Sequence, residues 1–226
     1  MEKQYNNVYQ KRFYYFNVYV IKGKSGDILI DTGFICMKRK LKKWLDQFNI
    51  KLIILTHVHV DHAWNVAYIK KLYNCEVAIG ELDLTNIDNT NIKSEPLSKK
   101  FTLWTKLMNW GMKKFIPNKY QVDFLLKDNQ ILNKYGCKLR IISLKGHTNG
   151  SIGIKYKDYL FVGDALVNRG KKASVAFQNQ DCTSAKESIS KIIKENPSIV
   201  FIGHDKAITY EKLIKSFPNK EILNIN

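Results

Sequence analysis

The stretch Lys51-Leu-Ile-Ile-Leu-Thr-His57-Val-His59-Val-Asp61-His62 joins a β-branched apolar run to three histidines and an aspartate. The run over 51–56 predicts a fully buried strand, short and bounded by polar residues. Side chains alternate along extended chain, so His57 and His59 share a direction while Val58 and Val60 turn the other way. Two imidazoles can then share one metal ion. Asp61 is read as the cap of a helix over 63–73, whose Ala63, Val66, Ala67, Ile69 and Leu72 lie roughly on one face. The turn from strand to helix aims Asp61 and His62 away from the first pair, toward a second ion.

The chain has only two further histidines, His147 in Gly146-His-Thr148 and His204 in Gly203-His-Asp205. Strands are expected over 137–144, 152–156, 159–162 and 199–202. The third of these closes through Gly163 on Asp164, and the fourth through Gly203 on His204. An apolar strand, then glycine or threonine, then a metal-type ligand is a pattern that recurs, and strand ends are how a sheet builds a rigid site. Five histidines with Asp61 and Asp164 exceed what one ion can take, which points to a two-metal hydrolytic site. Imidazole and carboxylate without cysteine suit zinc, with iron and manganese also compatible.

Together with Ile28-Leu-Ile-Asp31-Thr-Gly33, these motifs make the chain resemble the metallo-β-lactamase superfamily of hydrolases over residues 14–208. The resemblance implies an α/β fold, a four-layer αββα sandwich of two mixed sheets with helices outside and two divalent metals at one edge. It implies that His57, His59 and His147 hold the first ion, that Asp61, His62 and His204 hold the second, and that Asp164 bridges them. Asp31 would orient a ligand histidine through its free ring nitrogen; a plain turn aspartate before Thr-Gly is the other reading. Lys145 replaces a proline common in the family and Asp205 a glycine, and neither change removes a ligand. Asp164 stands where the commonest zinc β-lactamases have cysteine, which argues against that activity. His59 stands where di-iron flavoprotein oxygen reductases carry glutamate, and Val167 where acyl-homoserine lactonases carry tyrosine.

The expected chemistry is attack by a metal-activated hydroxide, with Asp61 orienting it or accepting its proton while also serving as a ligand. A small-molecule ester or thioester, as in hydroxyacylglutathione hydrolases, is the leading substrate class. The alternatives are a phosphodiesterase or nuclease of the same fold and a non-catalytic metal-bound sensing protein.

With 226 residues, 45% of them hydrophobic, one domain is expected across 1–226. No apolar run reaches the length of a membrane span and no cleavable leader is legible, so a cytoplasmic protein is expected. Cys36, Cys75, Cys137 and Cys182 lie far apart and read as reduced and structural. The net charge of +17 rests on lysine, since only four of the 37 basic residues are arginine. Such a balance fits solvated lysine faces or a field that attracts an anionic substrate; a nucleic-acid partner, expected to cluster its charge and use arginine, is not favoured. Phe101, Trp104, Leu107, Met108 and Phe115 recur at helical spacing before Pro117. This helix, over 101–116, either lids the cleft as part of an insertion around 85–120, with Trp104, Met108, Trp110 or Met112 lining an apolar pocket, or buries its stripe on the sandwich.

Overall fold

The computed structural model describes residues 1–87, 94–99, 102–112 and 118–218. One sheet contains β1 (Glu2–Tyr5), β2 (Val8–Phe13), β3 (Phe16–Ile21), β4 (Asp27–Ile30), β5 (Ile50–Ile54), β6 (Glu76–Gly80) and β7 (Phe124–Leu126), adjacent in that order. It is antiparallel as far as β4 and parallel from β4 to β7. The other contains β8 (Ile131–Lys134), β9 (Cys137–Ser143), β10 (Ile152–Tyr156), β11 (Tyr159–Phe161), β12 (Ile199–Phe201) and β13 (Ile208–Thr209), in the order β13-β12-β11-β10-β9-β8. There the β11–β12 pair alone is parallel. Both sheets are therefore mixed, as expected. The helices are α1 (Lys38–Leu45), α2 (Val60–Ala63), α3 (Val66–Tyr73), α4 (Thr102–Met112), α5 (Cys182–Lys194) and α6 (Tyr210–Ser216).

The two-residue alternation of strands sorts the apolar side chains into three layers. Ile28, Ile30, Leu52 and Ile54 meet Leu139, Ile141, Ile154 and Phe161 between the sheets. Leu29, Ile53 and Val77 point the other way, onto Leu41, Leu45, Val66 and Ile69 of α1 and α3. Leu160 and Val200 face Ile189, Ile192 and Leu213 of α5 and α6. Three apolar layers separate four structural ones, which is the αββα sandwich. The run 51–56 is buried on both faces because its strand lies inside the first sheet with helices on one side and the second sheet on the other.

Two expectations about helices change. The helix over 63–73 is broken at Trp64–Asn65, and Asp61 does not cap it: His59 precedes α2, and Asp61 lies within the first turn of α2. The break has a physical cause, since the Asn65 side-chain amide donates to the carbonyls of Thr32, Gly33 and Phe34 and ties the chain to the end of β4. The helix over 101–116 is found as α4, with residue 101 and residues 113–117 outside the described ones. Leu107 does not bury as its place in the stripe required, being 54% exposed. The side chains of Trp104, Met108 and Met112 lie outside the described residues, and Trp110 is exposed.

Candidate metal centre

Strand ends deliver the side chains to one edge. Extended chain leaving β5 carries His57 and His59. Asp164 follows β11, and His204 follows β12, which runs parallel to β11 and so ends at the same edge. His147 comes from the turn between β9 and β10. All seven residues singled out from sequence meet there. One nitrogen from each of His57, His59 and His147 forms one group, and atoms of Asp61, His62, Asp164 and His204 form another, all within 4.8 Å inside each group. The groups adjoin, with the His57 and His62 ring centroids 4.1 Å apart. Asp164 touches both, its carboxylate lying 3.5 Å from His62 Nε2, 3.1 Å from His204 Nε2 and 3.7 Å from His147 Nε2.

Outer partners fix which nitrogen each ring presents. His62 Nδ1 lies 2.8 Å from Asp31 Oδ2, His147 Nδ1 2.9 Å from the Gln178 carbonyl and His204 Nδ1 3.2 Å from the Tyr15 carbonyl. An acceptor at Nδ1 places the proton there and leaves Nε2 with a free lone pair. His57 Nδ1 lies 3.1 Å from Thr56 Oγ1, whose hydroxyl donates to Asp31 Oδ2 at 2.8 Å. Asp31 thus orients two rings, one directly and one through Thr56, and is not merely a turn aspartate. His59 is the exception, presenting Nδ1, which lies 2.9 Å from His147 Nε2.

These atoms fit a cation. His57 Nε2, His62 Nε2 and Asp164 Oδ1 are buried and have no hydrogen-bond partner among the described residues. Three such atoms converging on one place would be costly to bury unless something positive meets them. The glycines serve the same convergence. A Cβ at Gly203 would stand 2.1 Å from Asp164 Oδ1 and 2.5 Å from the His62 ring, so the His204 strand end can reach the cluster only without a side chain there. Gly146, at φ +129, lets the His147 turn lie against the backbone of Ala185 at the start of α5.

Asp83 and Asp205 matter although sequence reading passed over the first and could not explain the second. Asp83 is fully buried and accepts from Thr148 Oγ1 (2.8 Å), Gly150 N (3.0 Å) and Asn86 Nδ2 (2.8 Å), bracing the turn that carries His147. Burial pushes its carboxyl up despite these donors. Asp205 adopts φ +67, where the family's glycine is at home and aspartate is tolerated, and its carboxylate pairs with Arg12 at 3.0 Å.

Without metal, the two groups differ in charge. Burial, reinforced by the neighbouring imidazoles, holds His57 well below its ordinary value and His59 at about 3; His147 is lowered chiefly by burial. Burial opposes a charge on His62 and His204 too, but Asp164 and Asp61, joined at His62 by Asp31, outweigh it, raising His62 well above 6.5 and His204 to about 10. The signs predict a stability maximum for the chelated protein. Depressed histidines contribute stability above their unfolded value of 6.5 that is lost as pH falls toward about 3; raised ones contribute stability below 6.5 that is lost as pH climbs toward about 10. Urea melts of EDTA-treated protein should therefore give a midpoint highest near pH 6.5 that declines on both sides. A midpoint rising steadily from pH 6 to pH 9 would contradict these charge assignments.

An αββα sandwich with histidines and aspartates converging at one sheet edge defines a metal-dependent hydrolase. The chain belongs to the metallo-beta-lactamase superfamily, whose family model matches residues 13–204. Among relatives, it is 29% identical over 195 residues to a probable metallo-hydrolase of Methanocaldococcus jannaschii, covering 83% of this chain and 75% of that one. It is 28% identical to hydroxyacylglutathione hydrolase 1 of Vibrio vulnificus, over 68% of this chain and 48% of the relative. Acyl-coenzyme A thioesterase MBLAC2 of Homo sapiens is 26% identical, over 70% and 62%. Among solved structures, TTHA1623 in a di-iron-bound form superposes with a TM-score of 0.68 at 23% identity, covering 90% of this chain and 94% of that one. The BLEG-1 B3 metallo-beta-lactamase gives 0.67 at 21%, over 92% and 94%; these likenesses speak for the fold. No helix among the described residues is long and apolar enough to cross a membrane.

Proposed function

We propose that this protein hydrolyses a carboxylic ester or thioester at a dinuclear metal centre. The observation that carries the reading is the convergence of His57 Nε2, His62 Nε2 and Asp164 Oδ1, buried atoms that find no hydrogen-bond partner among the described residues. His57, His59 and His147 would hold one ion and Asp61, His62 and His204 the other, with Asp164 shared. Zinc suits this donor set, and the di-iron relative in fold keeps iron as the alternative. Two such ions would bring a water's pKa down toward about 7 and polarise the carbonyl under attack.

The chain's own residues supply the rest. Asp61 is about one quarter exposed and its Oδ2 lies 3.3 Å from His204 Nε2, so it stands at the mouth of the site. There it would orient the attacking water and take its proton on Oδ1, the carboxylate oxygen left over when Oδ2 faces His204. Asp31 and Thr56 hold the rings of His62 and His57 in one tautomer throughout. Strand Glu95–Pro96, which pairs with Gln178–Asn179, lies against α4 and joins it to the partner of His147. That connection supports α4 as a cover on the cleft within one domain.

The thioester preference is supported by the names of the Vibrio and human relatives, with the hydroxyacylglutathione hydrolase branch one of several it could share. A phosphodiester is the second reading, supported by the net charge of +17 and the exposed Lys38, Arg39, Lys40 and Lys43 of α1. Metal-loaded protein assayed on a p-nitrophenyl ester, an acyl thioester and bis-p-nitrophenyl phosphate separates them. Turnover of either acyl substrate at least about 10²-fold above the metal-free protein is expected. Turnover of the phosphodiester alone would replace the first reading with the second, and silence on all three with metal bound would remove both.

A further inference from the structure

Exposure divides the candidate ligands and so gives the site a direction. His57, His62, His147 and Asp164 are buried, whereas His59, Asp61 and His204 are partly open. Anything reaching the centre from solvent passes this second group. Beside His204 begins a series of aromatic rings, with Phe16 edge-on to His204 at 5.3 Å between centroids, Phe34 at 6.0 Å from Phe16, and Trp64 at 5.4 Å from Phe34. All three rings are half-buried, and Phe16 and Phe34 pack at the rim of the first sheet's helix-side core.

The backbones beneath these rings are tied to the site. Phe16 bridges to His204, and Asn17 N donates to the Gly203 carbonyl at 2.8 Å. Asn17 Nδ2 adds bonds to the Ile202 and Asp205 carbonyls, while Arg12 pairs with Asp205. The Phe34 carbonyl accepts from Asn65, next to Trp64, and Gly33 bridges to Ala63. The break between α2 and α3 falls at Asn65, directly after Trp64, whose own backbone is still helical. A row of half-buried rings on a braced backbone therefore starts beside the open side of the centre, and a braced apolar wall binds an apolar group without first being ordered.

We infer that Phe16, Phe34 and Trp64 form the subsite for the acyl group, and that the substrate is an ester or thioester of an apolar acyl chain. The inference rests on the proposed hydrolysis of an acyl substrate. The leaving group's chemistry plays no part in it.

The test uses metal-loaded protein and acyl p-nitrophenyl esters from acetyl to decanoyl. Each methylene laid on the wall should raise kcat/KM by roughly twofold to fourfold until the wall ends. Phe34→Ala and Trp64→Ala should each lower the octanoyl-to-acetyl ratio of kcat/KM by about tenfold. Trp64→Phe, which keeps a ring, should restore most of it, and Ile131→Ala, at the exposed edge of the second sheet, should leave the ratio alone. Calorimetry with the product carboxylates gives a second readout, octanoate binding at least about tenfold tighter than acetate to wild type, with the difference reduced in Trp64→Ala. A flat chain-length profile on an active enzyme overturns the wall and leaves the hydrolase reading standing. So does a ratio that moves less than twofold in both alanine variants with metal content and circular dichroism unchanged. Absence of turnover on every acyl ester and thioester with metal bound overturns both.

Discussion

Replacing Asp164 with alanine is expected to abolish turnover, by about 10³-fold or more, and to empty both halves of the centre. Its carboxylate lies within 3.7 Å of His62, His147 and His204, so one group loses a member and the other the neighbour it would share at once. The remaining groups magnify the loss. Asp164 is the largest favourable influence on the raised pKa values of His62 and His204, so without it their protonated forms are penalised by burial and the cluster no longer keeps its geometry. Asp61→Ala and His62→Ala should differ from this in metal content. Each touches one group only, so turnover is lost while one ion per chain remains on His57, His59 and His147. Elemental analysis beside the ester assay distinguishes the cases, and an Asp164→Ala protein that keeps two ions and measurable turnover would refute the shared role.

Asp31→Ala should be the most damaging change outside the ligand set. Thr56 N, Thr56 Oγ1 and His62 Nδ1 all lie 2.8 Å from its carboxylate oxygens. Leaving buried donors unmet costs about 1–3 kcal/mol each, so a loss of roughly 3 kcal/mol or more is expected in urea. The position sits at φ +59, a left-handed conformation that aspartate and asparagine tolerate better than alanine. Asp31→Asn separates the two roles. It keeps the backbone conformation and one acceptor oxygen, so the fold should be held to within about 1–2 kcal/mol. The amide cannot serve both Thr56 and His62, and metal affinity should drop by about 10- to 100-fold. Equal metal affinity in wild type and Asp31→Asn, measured by competition with a chromogenic chelator, would confine Asp31 to a structural part.

The ligand run was legible because its signals are local. A two-residue alternation put His57 and His59 together, and the apolar run before them belonged to a strand covered on both faces. Glycine before each distant ligand was equally plain, although its reason was not: only the folded chain shows Asp164 and His62 against Gly203. What stayed hidden depends on tertiary contact. The carbonyls of Gln178 and Tyr15, which orient His147 and His204, carry no mark of residue type. Asp83, in Glu81-Leu-Asp83-Leu, looks like a surface residue until Thr148 and Gly150 arrive from the second sheet. Helical periodicity over 63–73 was overridden by Asn65, whose amide is worth more to the Thr32–Phe34 turn than to a continuous helix.

The proposed chemistry requires two ions on seven converging side chains. Anomalous diffraction from zinc-reconstituted crystals, recorded above and below the zinc edge and matched to elemental analysis of the same protein, would locate and count them. Two peaks are predicted, one among His57, His59 and His147 and one among Asp61, His62 and His204, with Asp164 reaching both. A folded chain that binds no ion, or binds it away from these residues, would overturn the dinuclear assignment.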